Sequence, residues 1–304
     1  MAKETWLITG GAGFIGAATA KELLQRGRKV IIFDDFSAST RDSLAAIKKQ
    51  TTIIKGDICD YPALLKAAKK ADVMLHLAAL VSVPASFKDA EYSYKVNIGG
   101  TLNALNAAAN SNIKKFIFAS TAAVYGDNPP PNKEDGPVSC ASPYAAGKLF
   151  AEELCLKYHN SQRVNCVILR YFNAYGPGQS VKNPYAGVIT KFLNAAKRGL
   201  PLTIYGDGKQ TRDFVFIDDI VKANMWAAAG RARVGKVYNV GTGEHISLLK
   251  LTGIIEKLIG KKCKINFKPA RKGDVQKSRA DITRIKAQKF NFDYPLVVGL
   301  KKML

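Results

Sequence analysis

What most constrains this chain is a rhythm in its first 170 residues. Short runs rich in β-branched and aromatic residues fall at 6–9, 30–33, 52–54, 73–77, 116–119 and 164–169. Helix-length segments lie between them, near 17–25, 44–49, 62–70, 92–109 and 144–158. Runs that are apolar throughout, rather than alternating, belong to strands buried on both faces. With helices in between, that means βαβ units, a parallel sheet and right-handed crossovers. The expected class is α/β, a doubly wound parallel sheet over residues 1–170. After residue 171 the rhythm breaks into Gly- and Pro-rich turns, Gly176-Pro-Gly and Gly206-Asp-Gly, with short strands and helices. That reads as a smaller C-terminal α/β lobe over 171–304. The two are expected to interleave, because a strand near 236–240 is placed to rejoin the main sheet.

Composition removes several alternatives. The formal charge is +22, and residues 171–304 carry +16 of it. An excess of this size first suggests a nucleic acid or an anionic surface. Its concentration in the second half asks instead what that half binds. At 47% hydrophobic the 304-residue chain is not disordered. The 5 cysteines are odd in number, scattered and without Cys-x-x-Cys spacing, which fits reduced thiols in a cytoplasmic protein. The 3 histidines lie far apart, so no zinc cluster is visible. No apolar run approaches the ~18 residues of a membrane span. The N-terminus enters a strand-like run without a signal-peptide core. No metal, membrane or nucleic-acid partner is expected.

Gly10-Gly-Ala-Gly13-Phe-Ile-Gly16 follows the first strand and opens the first helix. Glycines there permit a tight turn and close approach of a pyrophosphate to the backbone. The helix N-terminus then supplies N–H groups and partial positive charge. Asp34 ends the second strand 18 residues after Gly16. A carboxylate at that place accepts ribose hydroxyls and repels a 2′-phosphate, which favours NAD over NADP. Spacing does not separate Asp34 from Asp35. Asp57, after the third strand, is expected near the adenine, though it equally suits a turn.

Tyr144 and Lys148 stand four apart near a helix start, hence on one face. An ammonium beside a phenol favours phenolate, so the pair is expected to lower the Tyr144 pKa and make it a base. A second Tyr-x-x-x-Lys, Tyr205 to Lys209, spans the Gly206-Asp-Gly208 turn and need not share a face. Ser120-Thr121 ends the fifth strand, where parallel sheets present hydroxyls to ligands.

Six segments together resemble the extended short-chain dehydrogenase/reductases. They are Thr9-Gly-Gly-Ala-Gly-Phe-Ile-Gly16, His76-Leu-Ala-Ala79, Ala119-Ser-Thr-Ala-Ala-Val-Tyr-Gly126, Ser142-Pro-Tyr-Ala-Ala-Gly-Lys148, Arg170-Tyr-Phe-Asn173 and Tyr205-Gly-Asp-Gly-Lys-Gln-Thr-Arg-Asp213. Within that superfamily the chain is similar to the NAD-dependent epimerase/dehydratases, and most to UDP-glucose and UDP-N-acetylglucosamine 4-epimerases. The resemblance implies a Rossmann-type domain and a homodimer built from helices near 92–109 and 144–158. It also implies an NAD that stays bound and is regenerated each cycle.

By the same resemblance, Thr121, Tyr144 and Lys148 are catalytic: Tyr144 takes the 4-hydroxyl proton, Thr121 aligns that oxygen, and Lys148 holds the nicotinamide ribose. Gly10, Gly13, Phe14, Ile15, Gly16, Asp34, Asp57, Ile58, Leu77, Ala78, Ala79, Asn97, Ser120 and Tyr171, with Tyr144 and Lys148, line the cofactor. Thr121, Tyr144, Asn173, Gly187, Val188, Thr203, Tyr205, Arg212, Arg271, Asp274 and Ser278 line the substrate, the two arginines on the diphosphate. Ser278 and Gly187 are small where a bulky residue excludes N-acetyl groups in glucose-restricted relatives, so the N-acetylated UDP-sugars are expected to fit, with UDP-glucose and UDP-galactose beside them.

Related dehydratases and decarboxylases carry an acid one or two places after the catalytic Thr. This chain has Ala122 and Ala123, which ranks those activities lower. A UDP-glucuronic acid 4-epimerase stays open, as does a non-enzymatic nucleic-acid-binding or regulatory protein on the same fold.

Overall fold

The computed structural model describes residues 4–181, 186–271 and 273–304. Each of the six apolar runs forms a strand: β1 Thr5–Thr9, β2 Lys29–Asp34, β3 Thr52–Lys55, β4 Val73–His76, β5 Lys115–Thr121 and β6 Cys166–Tyr171. With the strand Lys236–Val240 at one edge they make a seven-stranded sheet, in the order Lys236–Val240, β6, β5, β4, β1, β2, β3. The neighbours from β5 across to β3 pair in parallel. The chain leaves β1 towards β2 and β3, then returns to β4 on the other side. The order therefore reverses between β1 and β4, the place where doubly wound sheets open a ligand crevice at the strands' C-terminal ends.

Helices α1 Phe14–Gln25, α2 Tyr61–Ala68, α3 Val83–Lys88, α4 Ala90–Tyr94, α5 Gly100–Ala109 and α6 Pro143–Asn160 accompany this sheet. Side-chain caps set four of the starts, at Asp60, Ser82, Asp89 and Ser142. Asp60 accepts from the Ala63 N–H at 3.1 Å, and Ser142 accepts from the Ala145 N–H at 3.2 Å, each with a proline in the first turn. Small residues let helix and sheet approach. Ala67, Ala104, Ala107 and Ala151 pack against Leu7, Phe33, Phe116 and Ile168 in one buried cluster.

Two helical expectations need correction. Residues 44–49 do not form an α-helix: a 3₁₀ turn at Arg41–Leu44 runs into successive turns closed by i→i+3 bonds. Only Leu44 and Ile47 are buried in that stretch, too little apolar surface to hold a helix face. The 92–109 helix is broken by a π-helical turn at Lys95–Gly99. That turn carries Asn97, whose amide holds Leu80: the Leu80 N–H donates to Asn97 Oδ1 at 2.9 Å, and Asn97 Nδ2 donates to the Leu80 carbonyl at 3.2 Å. Gly100, just after it, packs so close to Ile58 that a Cβ would lie 2.3 Å from the Ile58 side chain.

The chain divides into two compact units. The first comprises Met1–Thr121, Ser142–Arg170 and Val221–Tyr238; the second comprises Ala122–Ala141, Tyr171–Ile220 and Asn239–Leu304. Within the second, Asn173–Tyr175 pairs in parallel with Phe214–Phe216, and Leu202–Tyr205 with Ile265–Lys268. Thr211–Arg212 pairs antiparallel with Ile246–Ser247, and helix α7 covers Val188–Lys197. Lys261, Lys262 and Lys264 lie exposed on the turn into Ile265–Lys268.

Candidate active site

In the first unit the glycine turn leaves β1 with Gly10 at φ +66°, where a Cβ would sit 2.7 Å from the Ala78 nitrogen. A Cβ on Gly16 would lie 2.6 Å from the Gly10 carbonyl oxygen. Both positions therefore demand glycine, and the loop 77–79 after β4 closes against the turn. Gly13, Phe14 and Ile15 are half-buried at the start of α1, which no side chain caps. Asp34 is buried; its carboxylate accepts from the Ala12 N–H at 2.9 Å, the Phe36 N–H at 2.9 Å and the Ser39 hydroxyl at 3.0 Å. Asp35 is exposed and caps Ser37. The carboxylate reaching back to the glycine turn is thus that of Asp34. Asp57 is exposed and accepts from the Cys59 N–H at 2.8 Å in a local turn, while its neighbour Ile58 is buried.

Thr121 and Tyr144 are brought together. Both are half-buried and their hydroxyls share a hydrogen bond, which works against the upward push of burial on the phenol. The phenol nevertheless stands above its ordinary value, so the expected depression by Lys148 is not found in the chain by itself. The ammonium of Lys148 is directed elsewhere: it is buried, 4.1 Å from the centre of the Phe118 ring, and burial brings it down to about 8. His76 is fully buried behind it, between Thr9 Oγ1 at 2.7 Å and Thr101 Oγ1 at 3.2 Å. Burial, and then the nearby Lys148 charge, hold that imidazole down to about 3, so it is neutral. Ser120 donates its hydroxyl proton to Glu152. Asn97 spends its amide on Leu80 and Ser93, bracing the 77–80 loop. Tyr171 is buried at the end of β6.

In the second unit Arg212 forms an ion pair with Asp274 and donates to the Thr211 carbonyl at 2.8 Å. The Arg271 guanidinium lies 3.5 Å over the Tyr205 ring, and its hydrogen bond and charge hold that phenol below its ordinary range. Asn173 donates to the Asp213 carbonyl at 3.1 Å. Ser278 is buried; Thr203 is half-buried on Leu202–Tyr205, in register with Asn266. Gly187 precedes half-buried Val188 at the start of α7, and a Cβ there would come 3.3 Å from Gln179 Oε1. Lys272, inside the Arg271–Asp274 motif, lies outside the described residues.

A family model described as the NAD dependent epimerase/dehydratase family matches residues 6–241. The chain belongs to this family. It is 38% identical to a UDP-glucose 4-epimerase of Mycolicibacterium smegmatis, over 91% of this chain and 90% of that one. It is 36% identical to a UDP-N-acetyl-alpha-D-glucosaminuronate decarboxylase of Bacillus cytotoxicus, over 99% and 97%. Among solved structures, the UDP-N-acetylglucosamine 4-epimerase from Methanobrevibacter ruminantium, in complex with UDP-N-acetylmuramic acid, superposes with a TM-score of 0.93 at 37% identity, covering 99% of this chain and 97% of that one.

The family's NAD is compatible with the residues present. Two glycines whose Cβ atoms would strike backbone, an uncapped helix start and the buried Asp34 carboxylate together suit a dinucleotide. Among the described residues no cluster of His, Cys, Asp or Glu could hold a metal, and no helix is long and apolar enough to cross a membrane.

Sequence reasoning missed the ionic and polar groups that support these side chains. Glu152 and Arg170 form a buried ion pair, and Asp213 accepts four hydrogen bonds while fully buried. Glu152 had an available signal, since it follows Tyr144 and Lys148 at a further helical turn on the same face. Asp213 ended a quoted motif but carried no assigned part.

Proposed function

We propose that this protein is a UDP-hexose 4-epimerase whose substrates are UDP-N-acetylglucosamine and UDP-N-acetylgalactosamine, with UDP-glucose and UDP-galactose also accepted. The observation that carries the reading is the Thr121–Tyr144 hydrogen bond one helical turn from Lys148, with Ala122 and Ala123 where an eliminating or decarboxylating relative needs an acid.

NAD, when bound, accepts a hydride from C4 of the sugar, returns it, and adds a positive charge that favours phenolate at Tyr144. Gly10, Gly13, Gly16 and Asp34 hold it, with Lys148 on its nicotinamide ribose. Tyr144 Oη takes the proton of the 4-hydroxyl, and Thr121 Oγ1 keeps that oxygen aligned. The sugar becomes a 4-ketone, turns its other face, and Tyr144 returns the proton as C4 is reduced. Arg212 and Arg271 bind the diphosphate, since guanidinium forks donate paired hydrogen bonds to phosphate oxygens. Asp274 orients Arg212 and meets the uridine ribose; Asn173, Tyr205 and Thr203 complete the nucleotide's surroundings. Ser278 and Gly187 leave space for an N-acetyl group.

The protein is expected to interconvert the N-acetylated pair at a rate at least equal to the UDP-glucose pair. Separate incubation with each UDP-sugar, UDP-glucuronic acid included, followed by chromatographic resolution of 4-epimers, checks this. Turnover of UDP-glucuronic acid alone would replace the proposal with the uronic acid reading, and release of CO₂ would replace it with decarboxylation.

A homodimer through the α4–α6 face belongs to the same proposal. Tyr94, Leu102 and Phe150 lie exposed on α4, α5 and α6, and Phe150 is 53% exposed. Phe150→Glu is expected to halve the mass measured by light scattering without lowering the melting temperature. A monomeric parent protein would end this part of the proposal.

A further inference from the structure

One buried carboxylate joins the strand that carries Thr121 to the helix that carries Tyr144 and Lys148. Glu152 follows Tyr144 and Lys148 on α6 at successive helical turns, so the three form one stripe. It is 1% exposed. Its Oε1 accepts the Ser120 hydroxyl, and Ser120 directly precedes Thr121 on β5. The same oxygen accepts from Arg170 Nε at 2.9 Å, and Oε2 accepts from Arg170 Nη2 at 2.7 Å. Arg170 is 4% exposed and directly precedes Tyr171 on β6. Three elements that each carry a site residue are thereby fastened to one another by a single charge-assisted network.

We infer that Glu152 is a positioning residue: with Arg170 and Ser120 it fixes Tyr144, Thr121 and Lys148 in register and keeps Lys148 charged. The groups facing Lys148 make its charge depend on this carboxylate. His76 on β4 is neutral and offers no negative charge, and burial keeps the Cys155 thiol protonated well above its ordinary range, so it offers none either; Glu152 on α6 is the carboxylate that favours the ammonium, against the burial that opposes it. Arg170 on β6 offsets Glu152 from the other side and would stand unpaired without it. The inference rests on the proposed function only for its kinetic readout.

Glu152→Gln tests it in two ways. On the UDP-sugar pair turnover should fall roughly tenfold to a hundredfold with little change in KM, as for a displaced catalytic group. The alkaline limb that loss of the Lys148 charge produces should move to lower pH. Glu152→Asp, which keeps the charge, should keep the limb in place. The second readout needs no substrate. Lys148 has a lower pKa folded, about 8, than the ordinary lysine value of 10.5, so between those values the unfolded chain holds the extra proton. Stability therefore rises with pH across that window, and in Glu152→Gln the rise should begin at lower pH.

The double variant Glu152→Gln/Arg170→Met separates positioning from stability. It should regain melting temperature, because no unpaired charge remains, without regaining turnover. Return of the rate together with stability would overturn the inference, as would an unmoved pH window in Glu152→Gln. If the parent protein turns over no UDP-sugar, the proposed function fails and the pH window still decides this point.

Discussion

Tyr144→Phe is expected to lower turnover by roughly 10²–10⁴-fold, the range for loss of a positioned acid–base group. The change removes one oxygen and leaves the ring that starts α6 in place. What is lost is the proton acceptor and the hydrogen bond with Thr121. That bond contributes about 1 kcal/mol to stability, so the fold should survive. Initial rates on the UDP-sugar pair, measured beside a thermal melt, separate the two effects. A variant that keeps more than about a tenth of the parent rate would remove Tyr144 from proton transfer, since even the weakest such contribution is near 10²-fold.

Asp213→Ala should produce the largest loss of stability in the second unit. The Asp213 carboxylate is fully buried and accepts from the Thr242 N–H at 2.8 Å, the Thr242 hydroxyl at 2.8 Å, the Gly243 N–H at 2.9 Å and the Ala280 N–H at 3.1 Å. Burial pushes its carboxyl pKa up, and these bonds oppose that push. Alanine leaves the donors without an acceptor, at about 1–3 kcal/mol for each that water does not reach, so a loss of more than about 3 kcal/mol is expected. Asp213→Asn should recover little, because its amide turns two further donors toward the same N–H groups. Urea unfolding reads the difference; a loss below about 1 kcal/mol would show that the loop at 242–243 does not depend on this side chain. Arg212 precedes Asp213 and Ser278 lies two residues before Ala280, so substrate affinity should weaken with it.

The parts of the fold that read cleanly from sequence are those where one physical demand dominates. Strands β1, β2, β4, β5 and β6 are buried on both faces, and a sheet covered on both sides calls for near-continuous apolar runs, whereas the edge strand β3 is only half-buried. Gly10 and Gly16 were legible because backbone contacts of 2.6–2.7 Å forbid any side chain. The π-helical turn at Lys95–Gly99 was not legible: helical periodicity continues through it, and only the tertiary demand of Leu80 on Asn97 explains the extra residue. The pKa of Tyr144 failed for a related reason. Four-residue spacing puts Lys148 on the same face, but the ammonium lies over the Phe118 ring, and the chain alone leaves the phenol high. Ion pairs such as Arg212–Asp274 join residues 62 apart, where no local pattern records them. Net charge told least, since most of the lysines at 261–268 lie exposed.

The threading of the chain bears on how the protein is made. Each compact unit is gathered from three separate stretches, and the first is complete only when Tyr238 has been added. A nascent chain halted after Arg170 has β6 as an uncovered edge, because Lys236–Val240 has yet to be synthesised. An unpaired strand such as β6, with Val167, Ile168 and Leu169 buried in the finished sheet, is a template for pairing with another copy. Synthesis of this chain therefore passes through an interval of some 66 residues in which release, stalling or truncation yields an aggregation-prone product.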